Sequence, residues 1–110
     1  MNRIAMSPAG SNLLRALIGR TGAARDRILL TNVQSTDWQS LTFTGERHEF
    51  ELRVPGPESA AVIERLCEGL EDAEFSIPGL IVADISIAGK PKRSIDGSTR
   101  VMIEALTIAE

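Results

Sequence analysis

Apolar and polar residues alternate most regularly between positions 38 and 54, and this alternation predicts a β-hairpin. The pair Gly45-Glu46 separates the two alternating runs. Glycine followed by another residue is typical of a two-residue type II′ turn, because the first turn position needs a positive φ. The sequence therefore predicts that the chain reverses direction at Gly45-Glu46.

This turn decides which residues of the hairpin share a face. Phe43 would lie opposite His48, and Leu41 would lie opposite Phe50, on an apolar face. The polar face would pair Thr42 with Glu49, Ser40 with Glu51, and Trp38 with Arg53. One apolar and one polar face are what a half-buried antiparallel pair requires, so the register is well specified.

Two further segments carry apolar residues at helical spacing. The first contains Leu13, Leu14, Leu17 and Ile18, and the second contains Val62, Ile63, Leu66, Cys67 and Leu70. Either Ser7 or Ser11 can cap the first helix, and Gly19 and Gly22 end it. Pro57 suits the first position of the second helix, because a backbone N–H at that position has no acceptor within the helix and proline lacks this N–H.

The remaining apolar segments predict strands. Residues 27–43 form either one strand that bends at 35–37 or two separate strands. Residues 80–88 carry apolar side chains on both faces, which predicts a central strand. Residues 99–109 form the last strand, after a polar loop at 89–98.

The order helix-strand-strand occurs twice, and the apolar spacing of the two helices matches. This internal repeat favours one bent strand over two. It predicts an α+β fold, a ferredoxin-like two-layer sandwich in αββαββ order, with both helices on one face of an antiparallel sheet. We expect a single domain over residues 1–110, with residues 1–10 as a flexible lead-in.

Composition narrows the choice of partners and of cellular location. The chain has 110 residues, of which 43% are hydrophobic and 25% are charged, and its formal net charge is -3. This acidity argues against sequence-independent binding of nucleic acid. No apolar run is long enough to span a membrane, and the first residues lack a signal peptide's apolar core, so we expect a cytoplasmic protein. The single cysteine, Cys67, excludes an internal disulfide and favours a core position.

Five residues are candidates for an interface or a ligand surface: Asp37, Trp38, Arg47, His48 and Arg53. Trp38, the only tryptophan, is either an interface anchor or a stacking surface for a ligand, with Arg53 in stacking reach across the hairpin. His48, the only histidine, is either a packed aromatic or a general base. Asp37 adjoins Trp38 at the predicted bend, and Arg47 belongs to the charged hairpin turn.

Signatures of common enzymes and cofactor sites are absent from the sequence. It contains no Walker loop, dinucleotide fingerprint, GxSxG, HExxH, CxxC or EF-hand loop. We therefore expect no cofactor and no metal, and we name no catalytic residue, although an enzyme with a pocket that no motif marks stays open. The basic segment KPKR at 90–93 is either an exposed loop or a contact for phosphate or an acidic partner.

The segment at residues 37–48 (DWQSLTFTGERH), together with residues 69–75 (GLEDAEF), resembles short, standalone proteobacterial proteins. That resemblance implies no particular activity and no catalytic residue. The helix-strand-strand repeat is also similar to the small periplasmic domains of fimbrial-assembly and type II secretion components. Those domains follow a membrane helix, which is not found in this sequence, so the similarity implies architecture alone.

Helices on one face of a sheet leave the other face to be covered. Because residues 80–88 and 99–109 offer apolar side chains to both faces, we expect a homodimer that pairs through the sheet. The sequence thus favours a non-enzymatic binding or assembly module. A small cofactor-free enzyme or ligand-binding domain that uses His48 or Trp38 is one alternative. A pilus or secretion scaffold domain, cut from a membrane protein, is another.

Overall fold

Two helices and a five-stranded antiparallel sheet make up the fold, and the computed structural model describes residues 6–110. The elements are α1 (Pro8–Thr21), β1 (Leu29–Gln39), β2 (Thr44–Val54), α2 (Ser59–Cys67), β3 (Leu80–Ile87), β4 (Lys92–Arg93) and β5 (Thr99–Ala109). The predicted α+β class, with an antiparallel sheet and two helices, is confirmed. The order differs from αββαββ by one strand, because the short β4 forms inside the predicted loop.

Helix α1 begins where Ser7 caps it. The Ser7 Oγ accepts a hydrogen bond from the Gly10 N–H at 3.0 Å, and Pro8 occupies the first turn. The helix ends at Gly22, whose φ of 69° is left-handed. Of the two predicted caps, Ser7 is therefore the one used. Residues 8–10, which we assigned to the lead-in, are helical, and residues 1–5 of that lead-in lie outside the described residues.

The strands lie in the order β1-β2-β5-β3, and β4 extends the sheet beside β5. β1 is one continuous strand, as the repeat favours, but its irregularity lies between Leu30 and Asn32 and not at 35–37. The prediction that residues 80–88 form a central strand is wrong, because β3 lies at the end of this order. Its two-sided apolar pattern does not reflect burial on both faces, since Ile81 is 46% exposed.

The predicted hairpin exists, but its turn spans residues 40–43 and not Gly45-Glu46. The Ser40 N–H donates to the Phe43 carbonyl at 2.8 Å, and the Ser40 Oγ accepts from the Phe43 N–H at 3.0 Å. These bonds close the turn without a glycine. Gly45 is a strand residue, and a Cβ added there would lie 1.9 Å from the Thr107 carbonyl oxygen. Glycine is therefore needed at 45 for a close approach between strands.

The new turn changes the cross-strand partners of β2. Opposite residues on the two strands are Leu30 and Leu52, Val33 and Phe50, Ser35 and His48, and Trp38 and Gly45. The predicted pairs of Phe43 with His48, Leu41 with Phe50, and Trp38 with Arg53 are therefore wrong. Leu41 and Phe43, predicted to lie on the apolar face, are 107% and 50% exposed.

One hydrophobic core lies between the helices and the inner face of the sheet, the face that the helices cover. Its buried residues include Leu13, Leu17, Phe50, Leu52, Ile63, Leu66, Val101 and Ile103. The predicted helical stripes are buried except for Ile18 and Cys67, which are partly exposed. Within residues 6–110, neither helix has the length and apolar character that a bilayer crossing requires.

Candidate functional site

The outer face of the sheet, turned away from the helices, is not covered by another element of the fold. Residues opposed in register share a face, and successive residues alternate between faces. The outer side chains therefore include Trp38, Arg47, Glu49, Glu51, Arg53, Ile81, Asp84, Arg100, Met102, Glu104, Leu106 and Ile108. From one end to the other, the face is first apolar, then mixed in charge, then basic.

Four residues in register across four strands form the apolar end: Trp38, Gly45, Ile108 and Ile81, here called the apolar row. Ile81 is 46% exposed, while Trp38 and Ile108 are half-buried. Single exposed apolar residues are ordinary on protein surfaces, whereas a contiguous apolar patch marks a contact surface. The members of the apolar row are direct neighbours across the sheet, so the row is a candidate contact surface.

The middle of the outer face is charged. Strand β2 presents there, in order, Arg47, Glu49, Glu51 and Arg53. Glu49 lies opposite Glu104, so two like charges are direct cross-strand neighbours. A cleft of about 320 Å³ opens beside them, lined on the outer face chiefly by Gln34, Thr36, Arg47, Asp84, Ser86 and Glu104. The outer side chains of β2 are therefore positive at both ends of this series and negative in the middle.

Arg53 is fixed by the loop that precedes β5. Its guanidinium donates to the Asp96 carboxylate at 2.5 Å and to the Ser98 Oγ at 3.1 Å. Hydrogen bonds from the Ser98 hydroxyl and N–H, with a smaller contribution from Arg53, lower the pKa of Asp96 to about 2. Arg53 thus belongs to a local network at the basic end and lies far in register from Trp38.

His48 lies on the opposite side of the sheet, on the inner face, and is 1% exposed. Its Nδ1 lies 2.8 Å from the Ser35 Oγ, and its Nε2 lies 2.8 Å from the Thr107 Oγ1. The imidazole stacks on Phe50, with 5.8 Å between the ring centroids. Hydroxyls from the two neighbouring strands therefore satisfy both ring nitrogens, as a buried polar group requires.

The hydrogen bonds and the burial of His48 bear on its tautomer and its charge. The Thr107 hydroxyl lies 3.5 Å from the Glu46 carbonyl and can donate to it, and on this ground we assign the ring proton to Nε2, with Ser35 as the donor to Nδ1. Burial lowers the pKa of His48, and the nearby Glu46 carboxylate opposes this shift only in part. His48 is therefore mainly neutral at pH 7.

The start of α1 closes over this histidine. A Cβ added to Gly10 would lie 3.3 Å from the His48 Nδ1, so the helix approaches the ring closely. The Ser7 hydroxyl donates to the Glu46 carboxylate at 3.0 Å. Ser35, whose hydroxyl donates to an imidazole, has the arrangement of an activated nucleophile, but the far ring nitrogen bonds a hydroxyl and not the carboxylate of a catalytic triad.

The structure separates the five candidate residues into two groups. Trp38, Arg47 and Arg53 lie on the outer face, at three different positions along it. His48 lies on the inner face, and Asp37 shares that side, opposite Glu46. A single pocket that uses both His48 and Trp38 is therefore excluded by the sheet between them.

Sequence reasoning missed the partners of His48. Thr107 follows Val101, Ile103 and Ala105 at a spacing of two, so the alternation of the last strand places its hydroxyl on the inner face. Ser35 gave no such signal, because residues 35–37 were interpreted as a bend. The importance of Gly45 was also missed, since its neighbour Thr107 is distant in the sequence.

Cys67 lies beside a groove of about 560 Å³ between α2 and β4, lined also by Ile63, Pro91 and Arg93. Burial raises the pKa of its thiol, and Arg20 opposes this only partly, so the thiol is protonated and weakly nucleophilic at neutral pH. Among residues 6–110, no cluster of three or more His, Cys, Asp or Glu side chains has a geometry that would hold a metal ion.

Comparison with known proteins finds neither a protein-family model nor a curated protein that matches this sequence. The chemistry of the two faces of the sheet is therefore the guide to function. The outer face offers an apolar row and an ordered charge pattern to solvent, while the inner polar cluster around His48 is internally satisfied.

Proposed function

We propose that this protein is a non-enzymatic, homodimeric binding or assembly module that pairs through the outer face of its sheet. The observation that carries the proposal is the apolar row, in which Trp38, Ile108 and Ile81 lie in register on an uncovered face. Burial of such a row removes apolar surface from water and favours association by about 25 cal/mol per Å² before the costs of binding.

The charge order of β2 favours a second copy of the chain as the partner. In the proposed dimer a two-fold axis lies between the two facing sheets, runs across the strands and passes between Arg47 and Glu49. This axis sets each Arg47 against Glu49 of the second copy. Each opposed carboxylate pair, Glu49 with Glu104, then gains a cation from the other copy. An isologous interface needs this kind of self-complementary pattern.

The same axis sets one apolar pair together and places Trp38 opposite Asn32 of the other copy. Ile108 of one copy then lies opposite Met102 of the other, because each is the same number of register positions from the axis. Thr36 lies opposite Gln34 of the other copy on β1. Sheets that pack face to face are rotated by their twist, so these pairs describe the contacts nearest the axis.

In this proposal the fold is of the ferredoxin-like type. Without β4 the order of elements is αββαββ, and β4 is then an addition to the connection between β3 and β5. Its helix-strand-strand repeat resembles that of scaffold domains of pili and secretion systems, and this resemblance agrees with an assembly role, although fold alone does not assign one.

Oligomeric state tests the proposal. We expect light scattering and sedimentation equilibrium to find a dimer at micromolar concentration, and Ile81→Lys to shift it toward monomer. Ile95→Lys is the matched control, because Ile95 is 109% exposed in the loop between β4 and β5 and does not belong to the apolar row. A monomeric parent protein, or equal loss of dimer in both variants, would refute the proposal.

A charge exchange tests the orientation. Arg47→Glu and Glu49→Arg should each weaken the dimer, because each sets like charges together across the axis. The double variant, with both changes, should restore it. A double variant that dimerises no better than either single variant would contradict this arrangement of the two copies.

One contact favours a second candidate function, a small cofactor-free enzyme. The Ser35 hydroxyl lies 2.8 Å from the His48 Nδ1, which is the distance at which a base activates a nucleophile. Esterase activity that is present in the parent protein and lost in Ser35→Ala would support this candidate. Activity that survives the substitution would assign it to another site or to a contaminant.

A further inference from the structure

Three cations lie in register at the basic end of the outer face. Arg53 on β2 is opposite Arg100 on β5, and Arg100 is opposite Lys92 on β4. Like charges directly opposite one another destabilise an antiparallel pair. The row therefore costs stability in the free protein, and an anion bound against it would remove that cost.

Only one cation of this row has a carboxylate within ion-pair distance among residues 6–110. Arg53 bonds Asp96 at 2.5 Å, whereas Arg100 and Lys92 have no such partner in this part of the chain. Strand β4 fixes Lys92 in place, since its pairing with β5 sets the residue beside Arg100. The charge is thus concentrated and held by backbone pairing, although the whole chain is acidic at -3.

Arg100 and Lys92 line a cleft of about 310 Å³, which Lys90 also borders. Glu51 lines the same cleft, and its carboxylate accepts a hydrogen bond from the Thr31 hydroxyl of β1 at 2.7 Å. The cleft thus presents three cations and one hydrogen-bond acceptor. Its volume is at the small end of the range for ligand sites, which is about 300–1,000 Å³.

We propose that this cleft binds the phosphate group of a small phosphomonoester that also carries a hydroxyl. The planar guanidinium of Arg100 suits two oxygens of a phosphate, and Lys92 and Lys90 add point charges. Glu51 accepts a hydrogen bond from a carbon-bound hydroxyl of the ligand, a group that inorganic phosphate lacks. The cleft lies at the edge of the proposed dimer contacts, because Met102, which the proposed axis sets opposite Ile108, also lines it.

Nucleic acid fits this cleft less well than a small phosphate. Binding of single strands uses aromatic side chains as stacking platforms, and the residues that line the cleft are Glu51, Ala88, Lys90, Lys92, Arg100, Val101 and Met102.

Calorimetric titration with glycerol 3-phosphate, at fixed ionic strength, tests the proposal. We expect saturable binding that the double variant Lys92→Gln with Arg100→Gln weakens at least about tenfold, the loss of one charge-assisted hydrogen bond or more. The control variant, Arg15→Gln with Arg25→Gln, removes the same charge from exposed positions outside the cleft and should bind as the parent does. Equal weakening in both variants would mean general charge attraction and would overturn the site.

Two comparison ligands complete the test. Inorganic phosphate should bind more weakly than glycerol 3-phosphate in the parent protein, and Glu51→Gln should narrow the difference between them. A single-stranded oligonucleotide that binds tightly with a steep salt dependence, while glycerol 3-phosphate does not bind, would overturn the proposal in favour of nucleic acid. Binding should persist in Ile81→Lys, so loss of the dimer and loss of this site are distinguishable.

Discussion

His48 and Thr107 join two strands of the sheet through a buried hydrogen bond of 2.8 Å between the imidazole Nε2 and the threonine Oγ1. Both residues are 1% exposed, so water does not compete for this bond. Ser35 completes the link on the other side of the ring, at 2.8 Å from Nδ1. The three residues connect β1, β2 and β5 on the inner face of the sheet.

Replacement of Thr107 by valine tests this link. The valine keeps the shape and removes the hydroxyl, so the buried His48 N–H loses its acceptor. We expect the free energy of unfolding to fall by ~1–3 kcal/mol, measured by urea denaturation. Thr107→Ser is the control, because it keeps the hydroxyl, and it should cost less than the valine variant. A valine variant as stable as the parent would show that the bond contributes nothing net.

The depressed pKa of His48 predicts a pH dependence of stability. Its folded pKa lies below the unfolded value of 6.5, so the unfolded chain binds the proton more readily. Stability is therefore full above the unfolded pKa and falls as the pH drops from 6.5 toward the folded pKa. Urea midpoints should decrease between about pH 8 and about pH 5, the range in which histidine titrates.

His48→Gln separates this effect from that of the carboxylates. The variant should be less stable at neutral pH but should lose the slope over the same range. Asp96, whose pKa falls from 3.8 to about 2, contributes stability that is present above pH 3.8 and is lost below it. A slope that persists in His48→Gln would assign the pH dependence to groups other than this histidine.

Local periodicity accounts for what the sequence predicted correctly. The inner positions of β2 and β5 and the helical stripes follow periods of two and of 3.6, which depend only on neighbours along the chain. The turn was misplaced because glycine at 45 serves a contact with Thr107, which the sequence does not place nearby. Ser40 closes the true turn through its side chain, a weaker signal than Gly-X.

The positions of β3 and of the candidate site residues depended on tertiary information. Apolar residues on both sides of β3 do not say whether that strand has one neighbour or two in the sheet, and one of them, Ile81, is 46% exposed. The position of the turn sets the register of the hairpin, and a shifted turn changes every cross-strand partner. The register that is observed places Trp38 and His48 on opposite faces of the sheet. For the sheet, the sequence predicted the alternation within each strand and not the arrangement of the strands.

Gly45→Ala should be strongly destabilising. The added Cβ would lie 1.9 Å from the Thr107 carbonyl oxygen, and this neighbour is backbone within a paired strand. Relief requires that β2 and β5 separate locally, so we expect a loss of at least ~3 kcal/mol in urea or thermal unfolding.

Gly19→Ala is the matched control for this substitution. Gly19 lies in α1, and an added Cβ meets nothing within 4 Å. Alanine favours the helix over glycine, so this variant should gain ~0.5–1 kcal/mol. Similar effects of the two substitutions would contradict the close approach at Gly45.

Two arginines tie the ends of the helices together reciprocally. Arg20 of α1 donates to the Leu66 carbonyl at 3.5 Å and to the Glu68 carbonyl at 2.5 Å, where α2 ends. Arg65 of α2 donates to the Thr21 carbonyl at 2.7 Å, where α1 ends. Each cation thus satisfies carbonyls at the negative end of the other helix.

Removal of either arginine should loosen the helix pair. We expect Arg20→Met and Arg65→Met each to lower the free energy of unfolding by ~1–2 kcal/mol, since methionine keeps the aliphatic length and loses the donors. Arg15→Met, at an exposed position of α1, should change it by less than ~0.5 kcal/mol. Because both bonds hold the same two helices, the double variant should lose less than the sum of the single losses. Strict additivity would mean that each arginine caps its helix end independently and does not act on the packing between α1 and α2.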